Sequence, residues 1–237
     1  MPDALVLNRT SSMKALFALT LLVSGIADAA PDFFEMSPIK YSATASSDEM
    51  TKLSQEITNG EWAAPAGSGK EFLRAVLKRL NVPIESQVMV FSKTSLQNSL
   101  INQRNPRAVY FSNDAYVDWV PGGKVEVIVE DEKLGPVFYV LTPPLGDKAP
   151  VVERHTDSCL QCHGNSRTEG VPGMLIRSVN PDENSHPLLS HGTTLVDHTT
   201  PIKQRWGGWY VTGASEDPHL GNQATVEGSE LEPKLAD

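Results

Sequence analysis

The chain is short of cysteine. Of 237 residues only two are Cys, and they lie three positions apart, at Cys159 and Cys162. No second Cys-x-x-Cys and no His-x-His pair exists to complete a zinc tetrahedron. Long apolar runs are also scarce: after the first 30 residues none approaches the length needed to cross a bilayer. Positive charge is in deficit, with 20 Lys and Arg against 29 Asp and Glu and a net charge of −9. That balance makes a poor nucleic-acid binder. No internal repeat is present. Methionine is rare downstream of Cys162, where Met174 is the only one. Turn formers are plentiful, with 17 Gly and 17 Pro, which points to a loop-rich fold.

The two cysteines belong to Cys159-Leu160-Gln161-Cys162-His163. This is C-x-x-C-H, the attachment signature of a c-type haem. Thiols at this spacing each add to a vinyl group on one edge of a porphyrin, and the following His supplies the proximal iron ligand. The expectation is one covalent haem c, with Cys159 and Cys162 as thioether anchors and His163 on the iron. A redox-active C-x-x-C is the blander alternative, but such motifs sit on a βαβ scaffold and none leads into this one.

The one notable apolar run, 15–23, follows Lys14 and precedes Ala27-Asp28-Ala29, a small-x-small cleavage pattern. Residues 1–29 therefore read as a signal peptide with a short upstream extension. Covalent haem attachment takes place outside the bacterial cytoplasm, so the expected location is the periplasm. Removing 1–29 from 237 leaves 208 residues, enough for one sizeable domain. The removed acids, Asp3 and Asp28, balance the removed bases, Arg9 and Lys14, so the mature chain keeps a charge of −9. We expect a single haem-binding domain over 30–237, with the haem segment at about 151–215 and a polar tail from about 216. No integral membrane segment is expected after cleavage.

Hydrophobic periodicity predicts an α+β fold. A helix over 46–59 has Met50, Leu53 and Ile57 on one face, a capping box at Ser46 and Glu49, and Gly60 to end it. A helix over 70–80 carries Phe72, Leu73, Val76, Leu77 and Leu80, with Asn81 as its cap. Strands are expected over 87–92, 108–111, 124–130 and 136–142, the last two joined by a turn at 131–135. Together these predict an antiparallel sheet packed with a few helices. A short helix capped by Thr156 or Asp157 carries the haem motif and stops at Gly164. Residues 206–212 form a strand whose glycine pair, Gly207-Gly208, accommodates either a bulky neighbour such as the porphyrin or a bulge.

The second axial ligand decides between functions. His198, in a turn-rich loop before the tryptophan strand, is the first candidate for the distal position. His191 and His219 follow, then Met174. His186 is a further downstream histidine, and His155 lies too close before the motif to reach across. Arg107, Arg167, Arg177 and Arg205 are candidate partners for the propionates. Glu153, Asp157 or a backbone carbonyl would fix the second nitrogen of His163.

Four stretches carry a resemblance: Phe91-Ser92-Lys93-Thr94-Ser95-Leu96-Gln97, Asn105-Pro106-Arg107-Ala108-Val109-Tyr110-Phe111, the run from Cys159 to Arg167, and the run from Trp206 to Gly213. In these the chain resembles a set of exported bacterial mono-haem proteins described only as cytochrome-c-like. The resemblance implies haem and export and leaves the activity open. Small class I cytochromes c place their motif near the N-terminus with a Met ligand well downstream; here the motif comes late and no such Met exists, so the all-helical class I fold is not expected. A looser similarity is to periplasmic PAS-like sensor domains.

Electron transfer to a redox partner protein is the first functional expectation. A haem-based gas or redox sensor, or a peroxidase-like enzyme with an open distal site, is the alternative, and a thiol oxidoreductase without haem stands behind both.

Overall fold

A computed structural model describes residues 32–65 and 69–211 and the two short strands Ala224–Val226 and Pro233–Leu235. These residues belong to one compact unit, Pro31–Asp237. The expected signal peptide, most of the expected polar tail, and His219 lie outside the described residues. Within the tail, Ala224–Val226 pairs antiparallel with Pro233–Leu235.

Alternating valines organise the sheet. In β4 (Val125–Asp131), Val125, Val127 and Val129 are buried while Glu126, Ile128 and Glu130 point to the other face. β5 (Gly135–Thr142) pairs antiparallel with it, Val127 opposite Tyr139. The connecting turn closes on Asp131, whose Oδ1 accepts from the amides of Lys133 (2.9 Å) and Leu134 (3.0 Å). β1 (Val88–Val90), β2 (Arg107–Phe111), β3 (Ala115–Trp119), β6 (Val151–Arg154) and β9 (Trp209–Tyr210) extend it to seven strands in the order β6-β5-β4-β3-β2-β1-β9. Every neighbouring pair is antiparallel. β7 (Arg177–Val179) and β8 (Thr193–Leu195) form a separate ribbon. The fold is α+β, not all-helical.

Two helices cover one face. α1 (Glu49–Thr58) buries Met50 and Leu53, and α2 (Gly69–Arg79) buries Phe72, Leu73, Val76 and Leu77. Both stripes share a core with Val117, Val127, Val137, Tyr139 and Leu141 of the sheet. Asn81 takes a left-handed φ of 54°, which lets the Val82 amide turn back to the Leu77 carbonyl (2.9 Å) and cap α2.

The α1 cap is Asp48, not Ser46. Asp48 Oδ1 accepts from the Thr51 amide (2.8 Å), and Oδ2 accepts from the Tyr139 hydroxyl (2.7 Å). A carboxylate serves both donors at once, whereas Ser46 lies two residues too early and instead bonds Thr51 Oγ1 and Tyr139 OH. Asp48→Ala is expected to lower stability by about 1–2 kcal/mol, the range of a lost N-cap. Urea unfolding checks this; an unchanged midpoint would mean that Ser46 caps the helix after all.

The sheet's second face is where the motif segment packs. It presents Arg107 from β2, Asp118 from β3, Glu126 and Ile128 from β4, and Phe138 and Val140 from β5. Among the described residues no helix is long and apolar enough to cross a membrane.

Candidate haem-attachment site

β6 leads directly into the motif. The His155 amide donates to the Phe138 carbonyl (2.9 Å), and His155 Nδ1 lies 2.8 Å from Ser158 Oγ. One helical turn follows, α3 (Leu160–His163). Its cap position is Cys159, and no side chain caps it: the Asp157 carboxylate bonds its neighbour's amide, Ser158 N, and lies too early to reach the helix. Gly164 ends the turn as expected, and its bare backbone admits Phe34, whose ring carbons would lie 3.2 Å from a Cβ there.

The turn brings the two thiols and the imidazole together. Both cysteines are free; Cys159 is half-buried and Cys162 exposed. Burial pushes the Cys159 thiol up to about 12, with Glu126, Asp118 and Asp157 adding to the shift and a hydrogen bond from Ser158 opposing it. A neutral thiol of this kind is a poor attacking group for disulfide exchange, which requires thiolate.

His163 packs its ring on Phe138, centroids 5.0 Å apart. Its Nδ1 lies 2.9 Å from the Gly173 carbonyl oxygen, and the Gly173 amide donates to the His163 carbonyl (2.8 Å). A carbonyl only accepts, so Nδ1 carries the proton and Nε2 keeps its lone pair. Of the partners expected for this nitrogen, the backbone carbonyl is the one found. Burial lowers the imidazole's proton affinity, as does Arg107, while the Gly173 bond and Glu126 oppose them. An imidazole oriented through Nδ1, with Nε2 open, has the form of a metal-ligating histidine. Both Gly173 bonds hold the backbone beside Met174 at the Nδ1 side of the ring.

The other candidates are spread out. His198 is exposed, in a turn where Asp197 Oδ1 accepts from the amides of Thr199 (2.7 Å) and Thr200 (3.0 Å). Its carbonyl accepts from Arg205 Nη2 (3.0 Å). His191 is half-buried, with Nδ1 shielded and without a partner. His186 Nε2 lies 3.4 Å from Lys93 Nζ. Burial lowers the proton affinity of Arg177, as does Arg167, with Cys162 opposing. Arg205 is taken up by the Thr200 and His198 carbonyls.

The glycine pair has its reason within the chain. Gly208 adopts φ +83°, and a Cβ there would fall 2.5 Å from Ser92 Oγ and 3.0 Å from Val179 Cγ2. Its carbonyl accepts from the amides of Phe91 (2.9 Å) and Ser92 (3.1 Å). At Gly208 the close neighbours are therefore Ser92, just past β1, and Val179 of β7.

Sequence reasoning missed a charged cluster on the face next to α3. Arg107 Nη1 donates to Asp118 Oδ2 (2.9 Å), and Glu126 accepts from Ser95 Oγ (3.1 Å) and Gln97 Nε2 (3.0 Å). Burial and Glu126 push Asp118 up to about 7 against the pull of Arg107. The stretches at 91–97 and 105–111 thus both supply this cluster. Beside Glu126 opens a cleft of about 740 Å³ lined by Gln97, Lys124, Val140, Glu153 and His155.

Among the described residues no three His, Cys, Asp or Glu side chains gather to hold a metal ion. A porphyrin supplies its iron's equatorial ligands and asks the chain for only one or two more. The residues present fit that demand: two free thiols one turn apart and an oriented imidazole with Nε2 open. No family model, curated protein or solved structure matches the chain.

Proposed function

We propose that the chain is an exported bacterial mono-haem c-type protein that passes electrons to and from a partner protein in the periplasm. The observation that carries this reading is the His163 Nδ1 bond to the Gly173 carbonyl within a C-x-x-C-H turn. Bound haem supplies a one-electron ferric/ferrous couple. Cys159 and Cys162 tether it, His163 offers Nε2 as proximal ligand, and Phe138 and the Gly173 carbonyl hold the imidazole in place. His198 is the proposed distal ligand; its ring is exposed and makes no hydrogen bond among the described residues. The net charge of −9 favours a basic redox partner and disfavours nucleic acid.

The test is expression with a cytochrome c maturation system, followed by ferric and ferrous spectra with and without CO. The expected result is a low-spin spectrum that CO leaves unchanged, turning high-spin in His198→Ala. A ferrous form that binds CO would replace electron transfer with gas sensing or peroxide chemistry. Absence of bound haem would overturn the reading.

A further inference from the structure

Asp118 and Glu126 are directly paired residues across β3 and β4. Their side chains share the sheet face on which the motif segment packs. Glu126 is well supplied: both its oxygens accept from Ser95 Oγ (3.2 and 3.1 Å), and Oε1 also accepts from Gln97 Nε2 (3.0 Å). Asp118 is not. Oδ2 accepts from Arg107 Nη1 (2.9 Å), but Oδ1 is buried without a partner, as is Arg107 Nε. A buried carboxylate oxygen that faces a second carboxylate is costly as an anion. One proton on Asp118 would resolve the conflict, because a carboxylic acid can donate where a carboxylate only accepts. One guanidinium, one negative charge and one shared proton then balance the cluster.

The charges around the pair are few. Arg107 faces it from β2. Lys124 lies two residues before Glu126 and pairs with Glu153 of β6 at 3.9 Å. His155 lines the cleft with Glu126. From the motif segment, Cys159 feels both carboxylates and His163 feels Glu126 and Arg107. Neither carboxylate bonds His163, so the pair senses charge there through space.

We propose that Asp118 and Glu126 form a shared-proton site that couples proton uptake to reduction of the iron held at His163, an inference that rests on the haem reading above. A one-electron donor protein delivers one electron, and the positive charge at the iron falls by one. The pair's proton affinity rises, and up to one proton enters from water through the cleft beside Glu126. Oxidation by an electron acceptor returns the electron and the proton together. Only a carboxyl O–H bond forms and breaks. Because protons enter on reduction, rising pH opposes reduction and the potential falls.

The experiment is spectroelectrochemical titration of the matured protein from pH 5 to 9, for the wild type, Asp118→Asn and Glu126→Gln. If the pair's proton affinity differs about tenfold between oxidation states, the wild-type potential falls by about 59 mV in total, the one-electron equivalent of a factor of ten. Both variants flatten the curve. The infrared carbonyl band of a protonated carboxylic acid, recorded at pH 6 on protein without haem, is present in the wild type and lost in Asp118→Asn. A haem-loaded protein whose potential does not change with pH, or whose slope survives in both variants, overturns the coupling and leaves the haem reading standing. A protein that takes up no haem overturns both, whatever the infrared band shows.

Discussion

Replacing both Cys159 and Cys162 with Ala is expected to abolish haem staining on denaturing gels, a complete loss of the covalent product. The fold should tolerate the change. Cys162 is exposed and Cys159 only half-buried, and neither is in a disulfide. Truncating two such side chains costs about 1 kcal/mol, in the ordinary range for point variants. Each single variant retains one thiol and hence one covalent link, so staining persists in both. Two outcomes would sink the assignment: staining that survives the double variant, or a wild type that never stains after maturation. Unfolding curves of the unloaded proteins separate either from simple misfolding.

Phe72→Ala is expected to lower stability by about 3–5 kcal/mol, the range for truncating a buried aromatic ring. Phe72 is 1% exposed on α2 and meets Trp62 edge-on, ring centroids 6.2 Å apart. It lies in the core shared by both helices and the sheet, where surrounding side chains close only part of the space left. Against a total of about 5–15 kcal/mol for a typical domain, this is a large fraction. The check is the urea midpoint at constant slope; a loss below about 1 kcal/mol would mean that α2 does not cover the sheet as described.

The β4–β5 hairpin was legible because Val125, Val127 and Val129 share one face, Glu126 and Glu130 lie on the other, and Asp131 to Gly135 carries turn chemistry. The helices were legible through their apolar stripes. β3 was missed. Ala115-Tyr116-Val117-Asp118-Trp119 mixes a charge into a short run, and nothing local reveals that its neighbours β2 and β4 complete it. The Ser46 capping box failed for a similar reason: Asp48 wins because Tyr139, 91 positions away, rewards a carboxylate there.

The proposed site divides in the same way. Cys159, Cys162 and His163 could be picked out in one dimension, since a single helical turn dictates both their spacing and their chemistry. Much of what surrounds them comes from farther along the chain. The Gly173 carbonyl behind His163 and the Phe138 ring under it depend on how loops and strands meet. Glu126 looked like an ordinary solvent-facing residue of an alternating strand. Only the antiparallel register sets it opposite Asp118, whose Oδ1 is buried without a partner. Periodicity tells which residues share a face, because it is a property of the local backbone. It cannot tell what covers that face, and burial is what turns a surface carboxylate into a group that holds a proton.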